Sequence, residues 1–211
     1  MPTGLLTIGH SNHQLDHFIE LLKRNHVNSI ADVRSHPYSR FSPHFGRESL
    51  QPALRLHGIQ YVFLGRELGA RREERECYVD GQARYDLIAQ SELFRQGIDR
   101  VIRGSASFRV ALMCSEKDPI TCHRMILVAR ELHRASVDVS HIREDGVVES
   151  QQDCEVRLLQ SLRLSSGDLL SSREQMVEFA YDQQGLRIAW TEDAAGGREG
   201  SRSGHYAEDG R

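Results

Sequence analysis

The sequence predicts a single α/β domain, a three-layer sandwich in which helices cover both faces of a mostly parallel sheet. Short apolar runs alternate along the chain with segments whose apolar residues recur at helical spacing, an order typical of parallel strands joined by right-handed crossovers. The 211 residues, 39% hydrophobic and 27% charged, suffice for one domain with a sizeable core. We assign this domain to residues 1–192 and predict a disordered tail over 193–211, which is rich in glycine, serine and charge.

The predicted strands are short apolar runs bounded by turn residues. They occupy residues 5–9, 27–33, 59–64, 108–113 and 137–142, followed by a short returning strand at 147–148. A further segment, 186–190, fits either a late strand or a stretch packed on the surface.

The helices between these strands are predicted by apolar stripes and by start signals. One helix begins near residue 15, and four others cover residues 48–57, 85–94, 96–102 and 151–164. The longest helix begins at Pro119, with Asp118 as its N-cap, and runs to about residue 135.

Composition excludes several classes of protein. No apolar run is long enough to span a membrane, and the N-terminus lacks the pattern of a signal peptide, so we expect a cytoplasmic protein. Its four cysteines form no CxxC pair and are predicted to be free thiols. A net charge of −3 argues against a generally basic nucleic-acid-binding surface, although a local basic groove stays possible.

Polar residues follow four of the predicted strands. They are His10 and Ser11, then Asp32, Arg34 and Ser35, then Gly65 and Arg66, and last Cys114, Ser115 and Glu116. Because ligands bind outside the carboxyl ends of parallel strands, the convergence of these clusters predicts a functional site. Ser11 has an alternative role, since Ser11 and Gln14 also fit a helix capping box.

The first functional hypothesis is an enzyme, a hydrolase or transferase, acting on a phosphate-bearing substrate such as a nucleotide or nucleic acid. Arg34 and Arg124 would clamp the anion beside the N–H groups of the helix at Pro119, with Glu116 or His10 as general acid or base. Cys114 is the third catalytic candidate. The predicted substrate-binding residues are Ser11, Asp32, Arg34, Ser39, Arg40, Arg66, His123 and Arg124. Alternatively, the arginines form buried ion pairs with Asp32 or Glu116.

A second hypothesis is a metal or thiol site that uses Cys114, Cys122, His123 and His10. On a helical wheel Cys122 falls within an apolar stripe, which favours packing over reactivity. We therefore assign no metal ligand and no required cofactor. A cysteine-phosphatase motif is excluded, because Ile120 stands where that motif needs arginine.

A third hypothesis is a non-catalytic module that binds a nucleic acid or a small anion. The loop before residue 48 combines aromatic and basic side chains that suit base stacking and backbone contact, though it also fits a simple crossover. These are Tyr38, Arg40, Phe41, His44, Phe45 and Arg47.

Five stretches of the chain together resemble a known family. They are TIGHSN, IADVRSHPYSR, GIQYVFLGRELGAR, LMCSEKDPITCHR and VSHIREDGVVE. In this order, over roughly residues 5–190, they resemble the bacterial and archaeal domain-of-unknown-function 488 family. The resemblance implies a compact cytosolic α/β domain, and some members of that family carry a label of DNA repair or nucleotide processing.

Overall fold

Apolar strands stacked side by side form the middle layer of the computed structural model, which describes residues 4–38, 41–164 and 172–192. The strands are β1 (Leu5–Gly9), β2 (Ser29–Asp32), β3 (Gln60–Phe63), β4 (Tyr78–Val79), β5 (Gln82–Ala83), β6 (Val110–Cys114), β7 (Val139–Ile142) and β8 (Val148–Ser150). Six of them form one sheet in the order β3-β2-β6-β1-β7-β8, in which only β8 runs antiparallel to its neighbour. Strands β4 and β5 form a separate hairpin. The predicted α/β class is confirmed.

Helices cover both faces of this sheet. They are α1 (Leu15–Arg24), α2 (Arg47–Leu56), α3 (Gly65–Leu68), α4 (Tyr85–Gln90), α5 (Glu92–Ser105), α6 (Arg130–Arg134), α7 (Gln151–Ser161) and α8 (Arg173–Ile188). A π-helix, Arg124–Ala129, leads directly into α6, and single 3₁₀ turns occupy Pro43–Phe45, Arg75–Cys77 and Pro119–Thr121. Among the described residues no helix has the length and apolar character needed to cross a membrane.

Strand β6 shows why one particular cysteine faces the candidate site. Successive side chains of a strand point to opposite faces of a sheet. Ala111 and Met113 therefore join the apolar cluster beneath α1 and α2, whereas Leu112 and Cys114 join the cluster on the opposite face. That second cluster contains the buried side of the π-helix, so Cys114 lies at the end of β6 on the side where the π-helix begins.

The carboxyl ends of the central strands stay joined beyond the sheet. The His10 N–H donates to the Cys114 carbonyl at 2.9 Å, and the Val33 N–H donates to the Met113 carbonyl at 3.1 Å. The loops that leave these strand ends therefore start from fixed positions next to one another, which keeps the polar clusters that they carry close together.

The structure corrects several local predictions. The predicted helix over 85–94 is broken at Ser91, whose hydroxyl accepts from the Phe94 N–H and caps α5 instead. Residues 186–188 continue α8, so the late strand is wrong, although Thr191 makes an isolated bridge to Gln82. Ser11 does not cap α1, because the capping position is Gln14, which makes no side-chain cap. The predicted tail over 193–211 lies outside the described residues.

The largest correction concerns the segment after Asp118. Asp118 does cap Pro119, accepting from the Ile120 N–H at 3.2 Å, but only a three-residue turn follows. Cys122 is extended, with φ −131° and ψ 141°, and helical structure resumes only at the π-helix. The expected helix N-terminus with its positive field at Pro119 is therefore absent.

Candidate functional site

The loop that follows β6 is held down on the end of β1. Arg124 donates to the carbonyls of Glu116 at 2.6 Å and Lys117 at 3.1 Å, and also to the Thr7 hydroxyl at 3.3 Å. Gly9 lies directly beneath, where an added Cβ would stand 1.9 Å from the Glu116 carbonyl oxygen. Only glycine permits this approach, so the position of Glu116 depends on the last residue of β1.

Four side chains converge at the end of β6. The Sγ atoms of Cys114 and Cys122 lie 3.0 and 2.9 Å from the same Glu116 carboxylate oxygen, and Cys114 Sγ lies 3.5 Å from His123 Nδ1. The four potential ligand atoms all lie within 4.8 Å of one another. We call Cys114, Glu116, Cys122 and His123 the thiol cluster. Tetrahedral zinc holds sulfur and nitrogen ligands roughly 3.3 to 3.8 Å apart, so the cluster has dimensions close to those of a zinc site.

The imidazole of His123 is oriented by the neighbouring strand end. His123 Nε2 lies 3.0 Å from the Val33 carbonyl oxygen, which can only accept a hydrogen bond. In the neutral ring, Nε2 therefore carries the proton and Nδ1 presents its lone pair to the two sulfurs. A backbone carbonyl that fixes the tautomer of a histidine is a common second partner of metal-binding imidazoles.

Ionisation of the thiol cluster is shared among its members. Burial, followed by Cys122 and Glu116, raises the pKa of Cys114. Burial opposes ionisation of Cys122 as well, but a hydrogen bond from Cys114, together with Arg124 and His123, lowers its pKa. Glu116 is exposed as a whole residue, yet its carboxylate is desolvated over the two sulfurs, and this burial with the charge of Cys122 raises its pKa. Burial opposes protonation of His123, but contact with Cys122 and the charge of Glu116 raise its pKa, so the ionisation of each group depends on its neighbours.

The thiol cluster forms one wall of a cavity of about 390 Å³, here called the inner cavity. Besides the cluster, it is lined by Arg34, Ser35, His36, Tyr38, Ala70, Arg71, Tyr85, Ser115, Thr121, Ile188 and Trp190. The Tyr85 side chain is 8% exposed, and its hydroxyl has no hydrogen-bond partner among the described residues. Burial and the nearby cluster raise the pKa of this hydroxyl, which remains a neutral donor facing the cavity.

A second polar centre lies at the ends of β1, β2 and β3. Asp32 accepts from Arg34 Nε at 2.9 Å, from Arg34 Nη2 at 2.6 Å and from the Tyr61 hydroxyl at 2.6 Å. Arg34 Nη1 lies 3.0 Å from His10 Nε2, and Nη2 also donates to the Phe45 carbonyl. We call Asp32, Arg34, His10 and Tyr61 the ion-pair centre. The buried ion pair weighed as an alternative for Arg34 is therefore present, with Asp32 as partner.

His10 is a member of this centre rather than a free base. It is 3% exposed, stacks on Phe45 with ring centroids 4.4 Å apart, and its Nδ1 lies 2.9 Å from the Ser11 carbonyl oxygen. Burial and the charge of Arg34 lower the pKa of His10 to about 4. Both ring nitrogens of His10 have hydrogen-bond partners within the protein, the Ser11 carbonyl and Arg34. In this arrangement neither nitrogen is available for the predicted role as general acid or base.

The structure brings some of the other predicted residues to the thiol cluster and the inner cavity, and places the rest elsewhere. Cys114, Glu116 and His123 come together as predicted candidates, and Arg34 reaches the inner cavity beside them. Arg124 is 0% exposed and holds backbone carbonyls, so it cannot clamp a substrate. Ser11 bonds its neighbour Asn12, Arg66 lines an adjoining cavity, and Ser39 and Arg40 lie outside the described residues.

Sequence reasoning did not identify Tyr85, Trp190 and Arg71 as residues of the site, although they line the inner cavity. Tyr85 begins α4, Trp190 follows α8, and Arg71 lies after α3, so each reaches the site from a different part of the chain. Cys122 was predicted to be packed. It is indeed buried, but its extended backbone turns the sulfur toward Glu116.

Fold and site together define an α/β protein with a cluster of two cysteines, one histidine and one glutamate at the carboxyl end of a central strand. The family described as a domain of unknown function, DUF488, matches residues 14–130, more than half of the chain, and the chain belongs to this family. No curated protein and no solved structure matches the chain.

Proposed function

We propose that this protein is a zinc-dependent hydrolytic enzyme whose metal is held by Cys114, Cys122 and His123. The observation that carries the proposal is the convergence of two sulfurs and a tautomer-fixed imidazole within 4.8 Å at the wall of an open cavity. Two thiolates and one histidine are a frequent ligand set of zinc, and catalytic zinc keeps three protein ligands and one open position. Bound zinc supplies Lewis-acid catalysis.

Glu116 is proposed as the general acid or base. Its carboxylate lies beside both sulfurs, and the rest of the residue is exposed to the cavity side, so it can exchange protons with solvent. Tyr85 lines the same cavity, and its hydroxyl has no partner within the residues that the structure describes; it is proposed to donate a hydrogen bond to a substrate oxygen.

Metal content tests the ligand assignment. Purified protein should carry about one zinc ion per chain by elemental mass spectrometry, whereas Cys122→Ser and His123→Ala should carry less than about a tenth of that. Cys154→Ala is the matched control, because Cys154 is equally buried but lies on α7, away from the cluster. Zinc that survives both ligand substitutions would contradict the proposal.

Glu116→Gln distinguishes an enzyme from a structural zinc site. If Glu116 acts as acid or base, the variant should keep its zinc, and the cobalt-substituted protein should change its absorption spectrum when azide is added, since a position is open. If Glu116 is a fourth permanent ligand, the variant should lose zinc and azide should have no effect on the wild-type cobalt protein. The second outcome would define a closed, structural site.

A further inference from the structure

A larger cavity adjoins the inner cavity and extends it away from the thiol cluster. This outer cavity has a volume of about 650 Å³. The two cavities share four lining residues, Ser35, His36, Arg71 and Trp190. Volumes of this size accommodate a small organic ligand. A ligand that reaches the cluster through the outer cavity therefore passes Arg71 and Trp190.

Aromatic surface lines the approach to the cluster. Trp190 and Tyr38 border the inner cavity together with Tyr85, and Tyr38 is 74% exposed. The Arg71 guanidinium lies over the Trp190 ring at 5.6 Å, while Tyr78 packs against the same indole edge-on at 5.9 Å. Fixed indole and guanidinium planes favour a planar heterocyclic ring as their ligand, through stacking and cation–π contact.

Cations concentrate in the outer cavity. Arg66 and Arg75 line it, and the guanidinium of neither has a hydrogen-bond or ion-pair partner within the described ranges. Arg72 is already used, since it donates to Glu74 and to the carbonyls of residues 66 and 67. The remaining acidic side chains there are Glu73 and Glu192. Arg71 makes its cation–π contact with Trp190 but has no ion pair within the described ranges. Three arginines without an ion pair there, namely Arg66, Arg71 and Arg75, thus face two glutamates without one, which favours an anionic group.

We propose that the ligand of the two cavities is a nucleotide, with its base in the inner cavity beside Trp190 and its phosphate near Arg66 and Arg75 in the outer cavity. As a statement about the substrate, this inference rests on the proposed zinc enzyme. Nucleotide binding itself depends only on the aromatic and arginine side chains.

The single tryptophan provides the test. Trp190 is the only tryptophan of the chain, so intrinsic fluorescence reports on this position alone. Titration with cytidine monophosphate should quench the signal saturably, and cytidine should bind at least tenfold more weakly. In the Arg66→Ala/Arg75→Ala variant the affinity for the nucleotide should fall at least tenfold, whereas that for cytidine should be unchanged.

Arg55→Ala/Arg103→Ala serves as the control, because it removes the same charge from exposed positions on α2 and α5. Equal losses in both double variants, or no quenching by cytidine, adenosine, guanosine or uridine monophosphate, would overturn the inference. Circular dichroism of each variant verifies folding.

Titration of the protein before and after removal of metal separates this inference from the proposed function. Quenching in a protein that never contains zinc supports nucleotide binding and refutes the zinc enzyme. Stoichiometric zinc without quenching by any of the four nucleotides refutes the nucleotide and leaves the zinc enzyme standing.

Discussion

The thiol cluster and the ion-pair centre occupy the same edge of the sheet, yet they differ in how their polar atoms are satisfied. In the ion-pair centre, the Asp32 carboxylate faces the guanidinium of Arg34, and His10 and Tyr61 complete the network. In the thiol cluster, the Glu116 carboxylate accepts from the thiols of Cys114 and Cys122, and the imidazole of His123 lies beside the Cys114 sulfur. Across the described ranges no arginine or lysine side chain pairs with Glu116.

This difference distinguishes a centre that stabilises the fold from one that is suited to binding a ligand. A buried carboxylate that is matched by a guanidinium has its charge compensated within the protein, so it needs no ligand and stabilises the loops that it joins. In the thiol cluster the carboxylate is satisfied by the protons of two thiols instead of a guanidinium, and a metal ion can replace those protons. Polar residues at a strand end therefore indicate a site when exchangeable protons, and not a fixed ion pair, satisfy them.

Breaking the ion pair should give the largest effect on stability. Asp32→Asn leaves Arg34 buried without its counter-charge, and we expect a loss of roughly 3–5 kcal/mol in the free energy of unfolding by urea denaturation. Zinc bound per folded molecule should stay the same. If zinc is lost as completely as in His123→Ala, the two centres are not independent.

The second largest effect is expected from acid, which should lower the free energy of unfolding through the ion-pair centre. The folded pKa of His10 is about 4, below the ordinary 6.5, so between these values the unfolded chain binds more protons. Stability should therefore decline as the pH falls from about 6.5 to about 4, by on the order of 3 kcal/mol from His10. His141, also lowered to about 4 by burial, contributes in the same window.

Unfolding free energies measured across this range should thus depend less steeply on pH in His10→Gln than in the wild type. His141→Gln should flatten the dependence independently, and a double variant should flatten it further. An unchanged slope in His10→Gln would show that His10 is already protonated in the folded protein.

The smallest expected effect on stability comes from comparing the loss of the hydroxyl at Tyr61 with the same loss at Tyr85. Tyr61→Phe removes a hydrogen bond to the charged Asp32 and should cost roughly 1.5–3 kcal/mol in urea denaturation. Tyr85→Phe removes a hydroxyl that has no hydrogen-bond partner in the described part of the chain, and it should change stability by less than about 0.5 kcal/mol, although Tyr85 is buried. Equal costs would mean that Tyr85 is structural and would remove it from the proposed site.

Regular apolar patterns made the fold predictable. Each of the six apolar runs first predicted as strands overlaps a strand of the main sheet, and the parallel order brought the predicted strand ends to one edge. Gly65 and Gly69 allow close backbone packing after β3, because an added Cβ would stand 2.0 Å from the Arg34 carbonyl oxygen at Gly65 and 2.3 Å from the Gly65 carbonyl oxygen at Gly69.

The site was predictable only in part, for two physical reasons. Cys114 and Glu116 follow from the strand end, and His123 was a candidate on the segment after it, whereas the role of Cys122 depends on one extended residue that a helical wheel cannot represent. Tyr85 and Trp190 come together through the packing of α4 against α8, a contact between segments about a hundred residues apart. No local pattern carries that information.

The π-helix Arg124–Ala129 bears on which deletions the site would tolerate. A π-helical turn holds one residue more than an α-helical turn. Deleting one residue from it, Val128 for instance, would restore a continuous α-helix and leave Cys122 and His123 close to their present orientation relative to α6, because the π-turn already accommodates the additional residue. The same deletion within a regular α-helix would turn the residues on its two sides by about 100° relative to each other. The thiol cluster is therefore least sensitive to a deletion in the segment that directly follows it.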